Sequence, residues 1–189
     1  MNTTATETPA GVELNPADRA KGAQYLASTR ESLLIALRGL NDSQWQFKPA
    51  DNRWSIAEVV ERVHTRVGQM PDCPTDDPGR DLAEMDEAIM AKVPLRTQKV
   101  EAPPPIQPTG AISPEEALAQ FTERRRQTEQ LLESAPCLRG RVAQHPVLGP
   151  LDGYQWILAV AAHSARHTAQ IAEIKSHPQF PESACGAIN

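Results

Sequence analysis

Apolar residues recur along this chain at the three-and-four spacing of amphipathic helices, in four long segments, and nowhere with the strict alternation of a half-buried strand. The first segment opens at Asn15-Pro16-Ala17-Asp18, which offers a cap, a proline at the first helical position and an acid in the first turn. It predicts a helix to about Arg38, with Leu26, Leu33, Leu37 and Leu40 on the buried stripe and Gly39 loosening its end. A connector from Asn41 to Asp51 follows, with one helical turn around Trp45. The second helix starts at Trp54-Ser55-Ile56-Ala57-Glu58-Val59, where Ser55 and Glu58 make a capping box and Trp54 can pack on Val59. Its stripe is Ile56, Val59, Val63, Val67 and Met70, and it runs to about Gln69. Three prolines make Pro71 to Gly79 a loop, and a shorter helix covers Asp81 to Lys92. A proline-rich connection from Pro94 to Thr109 leads to the third long helix, Ser113 to Ser134, with Leu118, Phe121, Thr128, Leu131 and Leu132 facing the core. A structured loop at His145 to Pro150 precedes a fourth helix that Asp152 or Gly153 caps and that ends near Lys175.

Four such helices and one long link predict an all-α fold, a four-helix bundle with a long crossover connection. It occupies residues 13–177, with an N-terminal tail at 1–12 and a C-terminal tail at 178–189, both expected to be disordered. At 189 residues and 40% hydrophobic content the chain suits one domain with a real core. A net charge of −5 argues against nucleic acid or an anionic membrane surface as partner. The one dense basic run, Arg124 to Arg126, reads as solvated surface, because three consecutive residues spread around a helix. The start of the chain has neither a cationic patch nor an apolar run, and no segment reaches the ~20 apolar residues of a membrane span. The three cysteines, Cys73, Cys137 and Cys185, are scattered and fit a reduced cytoplasm.

Chemistry concentrates on the fourth helix, where Trp156, Val160, His163, His167, Gln170 and Ile174 share one stripe. Two imidazoles four residues apart stand a turn apart on one face, able to bind one metal ion or to share hydrogen-bond partners. The opposite side, with Ala161, Ala165 and Ala172, is small and apolar and suits a second copy in a homodimer. His145 and His177, each before a proline, read as structural or exposed. Trp45, Trp54 and Trp156 read as packing anchors, and the cysteines lack a base that would activate them. No catalytic residue is assigned.

The stretches Gly39-Leu40 through Trp45, Phe47-Lys48-Pro49, Arg53 through Glu61, His145-Pro146 through Gly149-Pro150, and Trp156 with Ala162 through Ile171 together resemble the DinB-like four-helix bundles. That family includes bacterial thiol-dependent S-transferases. The resemblance implies a divalent metal, nickel or zinc, held by three histidines: the pair carried over onto His163 and His167, and a third at position 62. This chain has Arg62 there. A guanidinium offers only donors and cannot ligate a metal. At an effective dielectric of 20 and about 5 Å, it would repel a divalent ion by roughly 7 kcal/mol. His64 is the alternative ligand on the same helix, but it stands ~200° from position 62. The stripe alone leaves both flanks open, and the resemblance favours 62 as the inward one.

Two functions follow. One is a metal-dependent transferase or hydrolase with an incomplete His-x-x-x-His site, in which an ion activates water or a low-molecular-weight thiol. The other is a metal-free bundle that binds a small anionic molecule in a pocket lined by Glu58, Arg62, Trp156, Gln170 and the histidines, with Glu58 pairing to Arg62 one turn away.

Overall fold

The computed structural model describes residues 13–63, 81–97 and 107–182. Among the described residues there are six α-helices: α1 (Pro16–Leu37), α2 (Asp42–Gln46), α3 (Ile56–Val63), α4 (Leu82–Lys92), α5 (Pro114–Ser134) and α6 (Gly153–Lys175). The four expected long helices correspond to α1, α3, α5 and α6. The expected continuation of α3 through Val67 and Met70, and the loop after it, lie outside the described residues. Helices α1 and α3 each pack against both α5 and α6, so the two pairs alternate around the bundle, and α4 lies along α6.

The predicted starts hold because side chains satisfy the first unpaired N–H groups. Asn15 Oδ1 accepts from Asp18 N at 2.8 Å, and Ser113 Oγ accepts from Glu116 N at 3.1 Å. Ser55 and Glu58 close their box reciprocally at 2.8 and 3.3 Å. Asp152 and Gln155 do the same on α6 at 2.7 and 3.1 Å.

Between α5 and α6 the chain forms a 3₁₀ turn (Leu138–Gly140) and a short antiparallel hairpin, β1 (Ala143–His145) and β2 (Gly149–Leu151). The structured loop expected at His145 to Pro150 is the turn of this hairpin with parts of its two strands, and the strands themselves were not expected. Three residues per strand are too few to show alternation, and Pro150 argues against a strand by composition. The turn is instead built by His145, whose Nδ1 accepts from the N–H groups of Val147 and Leu148, both at 3.1 Å. Gly149 completes it at φ +78°.

Among the described residues the core forms two hydrophobic clusters. One gathers Leu26, Ile89, Leu132, Leu138, Tyr154 and the N-terminal half of α6. The other gathers Leu33, Ile56, Val59, Val63, Phe121, Ile171 and Ile174. The chain also continues in order past the expected bundle limit at 177: Phe180 packs edge-on against Phe47 at 5.5 Å, and Pro181 O accepts from Gln44.

Arg125 overturns the reading of the basic run as surface. It is 2% exposed, donates to Ser164 Oγ at 2.6 Å and to Leu26 O and Thr29 Oγ1 at 3.3 and 3.4 Å, and lies over the Phe121 ring. Of the run, only the middle residue falls on the Phe121–Thr128–Leu132 stripe of α5. Burial lowers its pKa to about 10.

A second arginine closes one end of the bundle. Arg139 forks onto Asp86 at 2.6 and 3.0 Å, reaches Asp152 at 3.1 Å and Asp18 at 3.0 Å, and stacks over Tyr154. One guanidinium thereby ties α1, α4 and the cap of α6. Because Asp86 and Asp152 are 5% and 0% exposed, Arg139→Ala is expected to cost about 3–5 kcal/mol in urea unfolding by stranding buried carboxylates. Arg126→Ala, which removes only the exposed pair with Glu123, should leave the unfolding midpoint in place.

Candidate functional site

Helix α6 passes through both clusters, and between them it carries a polar layer from His163 to Gln170. On one side of that layer Ser164 receives Arg125. On the other, His163 and His167 meet edge to face, with centroids 4.4 Å apart and their Nε2 atoms 3.0 Å apart. His167 is 6% exposed and His163 partly so. Trp54 stacks on His167 at 6.4 Å and 23°. Gln170, one turn on, places Oε1 3.0 Å from His167 Nδ1.

Both rings are held neutral. Burial lowers His163 well below its ordinary value, and the neighbouring His167 and Arg62 lower it further. Burial likewise brings His167 to about 3; the bond to Gln170 opposes the shift, while Arg62, Arg96 and Arg166 reinforce it. Three guanidiniums therefore set the field at the pair.

The residues named from sequence have different positions. Arg62 stands in the last described turn of α3, partly buried, with burial lowering its pKa. Glu58 pairs with Lys48 at 2.7 Å and receives Ser55 N, in place of the expected bond to Arg62 as its main contact. Trp156, 7% exposed, belongs to the other cluster, where it donates Nε1–H to Ala143 O at 3.3 Å and packs on His145 at 4.7 Å. His145 is therefore a structural residue of the hairpin, half-buried by Trp156. His64 lies outside the described residues. The alanine face divides: Ala161 is fully buried in the bundle, while Ala165 and Ala172 line an open groove with Ser28 and Ser32 of α1.

Sequence patterns missed Arg96, Glu61 and the buried role of Arg125. Arg96 follows α4 and grips Glu173 with two bonds of 2.6 and 2.9 Å. Glu61, 8% exposed, accepts from Thr109 N, Thr109 Oγ1 and Gly110 N at 2.7–2.9 Å and pins the end of the crossover to α3. Neither residue stands in a motif whose spacing would signal it.

Whether these residues suit a divalent ion can be judged from their donors. Nε2 atoms 3.0 Å apart match two ligands at ~2.1 Å from one ion, about 90° apart. Among the described residues no group of three His, Cys, Asp or Glu side chains converges. Glu58 and Glu61 are engaged elsewhere, and a guanidinium neighbours the pair. The described donors thus supply two ligands and do not make a complete metal site.

The DinB superfamily model matches residues 25–171 of the chain. The uncharacterized protein YuaE of Bacillus subtilis (strain 168) is 30% identical over 148 residues, covering 74% of this chain and 88% of that protein. Among solved structures, YfiT from Bacillus subtilis superposes with a TM-score of 0.53 at 16% identity, covering 89% of this chain and 91% of YfiT. YfiT is described as a probable metal-dependent hydrolase with an unusual four-helix bundle topology, and the likeness is one of fold. Among the described residues no helix is long and apolar enough to cross a membrane.

The neutral histidines have a consequence for stability. Unfolded, each titrates near 6.5, so between that value and about 3 the unfolded chain binds more protons than the native one. Stability therefore falls as pH drops through this window. In chelator-treated protein, the double variant His163→Asn/His167→Asn should lose roughly 2 kcal/mol less than wild type between pH 6 and 5. Denaturant titrations at the two pH values measure the difference, and equal losses would mean that the native rings are charged.

Proposed function

The chain belongs to the DinB superfamily, and from that premise we propose that it binds a small anionic molecule at the His163–His167 layer beside Arg62, without a resident divalent ion. The observation that carries this reading is that the two Nε2 atoms already satisfy each other at 3.0 Å, in a field set by arginines. Removing a third nitrogen donor and placing a fixed positive charge nearby weakens any cation site and favours a carboxylate or phosphate. The guanidinium of Arg62 has five donors, so an anion can share it with other partners. Trp54, stacked on His167, supplies an apolar wall.

A second reading rests on the same distance. Nitrogens 3.0 Å apart also fit two ligands of one ion, and YfiT is described as a probable metal-dependent hydrolase. In that reading the chain is a metal-dependent hydrolase or thiol transferase in which His163 and His167 hold nickel or zinc and open coordination positions serve water or a thiol.

Elemental analysis of untagged protein, with calorimetry against nickel, zinc and inorganic phosphate, separates the two. The expected result is well under one metal per chain, phosphate binding that is lost in Arg62→Leu, and a gain in nickel and zinc affinity of at least roughly 100-fold in Arg62→His. Near one equivalent of metal in the wild type, lost in His163→Ala, would overturn the metal-free reading in favour of the second.

A further inference from the structure

We propose that Gln170 and Arg96 are positioning residues: together they fix the proton of His167 on Nδ1, and so direct the hydrogen bond between the histidines from His163 Nε2–H to His167 Nε2. The Glu173 carboxylate holds Arg96 by two bonds, from Nε at 2.6 Å and from Nη2 at 2.9 Å. The remaining arm, Nη1, points at Gln170 Oε1 at 3.4 Å. A guanidinium only donates, so the atom of the Gln170 amide that faces it is the oxygen. That same oxygen lies 3.0 Å from His167 Nδ1. An oxygen cannot donate to the ring, and Nδ1 must therefore carry the proton.

The remaining step is the contact between the rings. In a neutral imidazole with its proton on Nδ1, Nε2 is an acceptor. Two bare nitrogens would repel at 3.0 Å, so the proton in that contact comes from His163.

The relay is held from more than one element. Arg166 donates to Leu95 O and, at 3.5 Å, to Val93 O, so the segment that carries Arg96 is fastened to α6 on both sides of Gln170. The docking of this segment thus decides which nitrogen of a buried ring is basic. A group that takes the place of the inter-histidine bond must accept from His163 and donate to His167, as an alcohol, a thiol or a singly protonated phosphate does.

Nitrogen-15 NMR of histidine-labelled, ligand-free protein near neutral pH reads the protonated nitrogen of each ring directly. This measurement does not depend on whether the site takes an anion or a metal, so its failure is separate from failure of the functional reading. The expected wild-type spectrum shows His167 protonated on Nδ1 and His163 on Nε2. Gln170→Leu should lose the single form of His167 and give a mixture of both, Gln170→Glu should restore the Nδ1–H form, and Arg96→Met should move it part of the way. Wild-type His167 protonated on Nε2, or an unchanged form in Gln170→Leu, would overturn the proposal. Should Gln170→Leu fail to fold, the wild-type and Gln170→Glu spectra still decide it.

Discussion

Helix α6 must be buried on every side over its first half, and the rest of the molecule is arranged around that requirement. Every residue from Leu151 to Ala162 is buried, including the cap Asp152 and the polar Gln155. A helix that is apolar all round has no solvent face, so other elements have to surround it. Helices α1, α4 and α5 do so, together with the 3₁₀ turn and the hairpin. Their approach is close enough to exclude side chains: a Cβ at Gly153 would lie 2.9 Å from Leu138 O, and one at Gly22 would lie 2.8 Å from the Tyr154 ring. The charged cap is made tolerable by Arg139, which brings a compensating cation to Asp152 and fastens α1 and α4 in the same contact.

The second half of α6 is built differently. Between the two apolar clusters it presents histidines to one neighbour and Ser164 to another, and each polar group there finds a specific partner: Arg125 for Ser164, Gln170 for His167, His167 for His163. Such a layer costs stability unless its bonds are made, so it restricts how the helices slide past one another. Burial, reinforced by the guanidiniums of Arg62 and Arg166, holds the two histidines neutral, and they bond to each other. Arg62, Arg96 and Arg166 impose a positive field on one interior site of a chain whose overall charge is −5.

What the sequence determined by itself was local. Asn15, Ser55, Ser113 and Asp152 mark helix starts because a capping bond spans three residues and is written in adjacent letters. The apolar stripes named buried residues of α1, α3 and α5, and the His163–His167 spacing placed both rings on one face, because helical periodicity converts sequence distance directly into direction. Tertiary structure decided whatever depends on a partner far along the chain. It drew Arg125 out of an apparently solvated run into the core, gave Glu58 to Lys48 and Glu61 to Thr109, folded His145 against Trp156 in a hairpin too short to show a pattern, and brought Arg96 to Gln170 across 74 residues. The physical reason is that a buried polar side chain must find its complement wherever the packed helices offer one, and neither the identity nor the distance of that complement is encoded in the period of the helix that carries it.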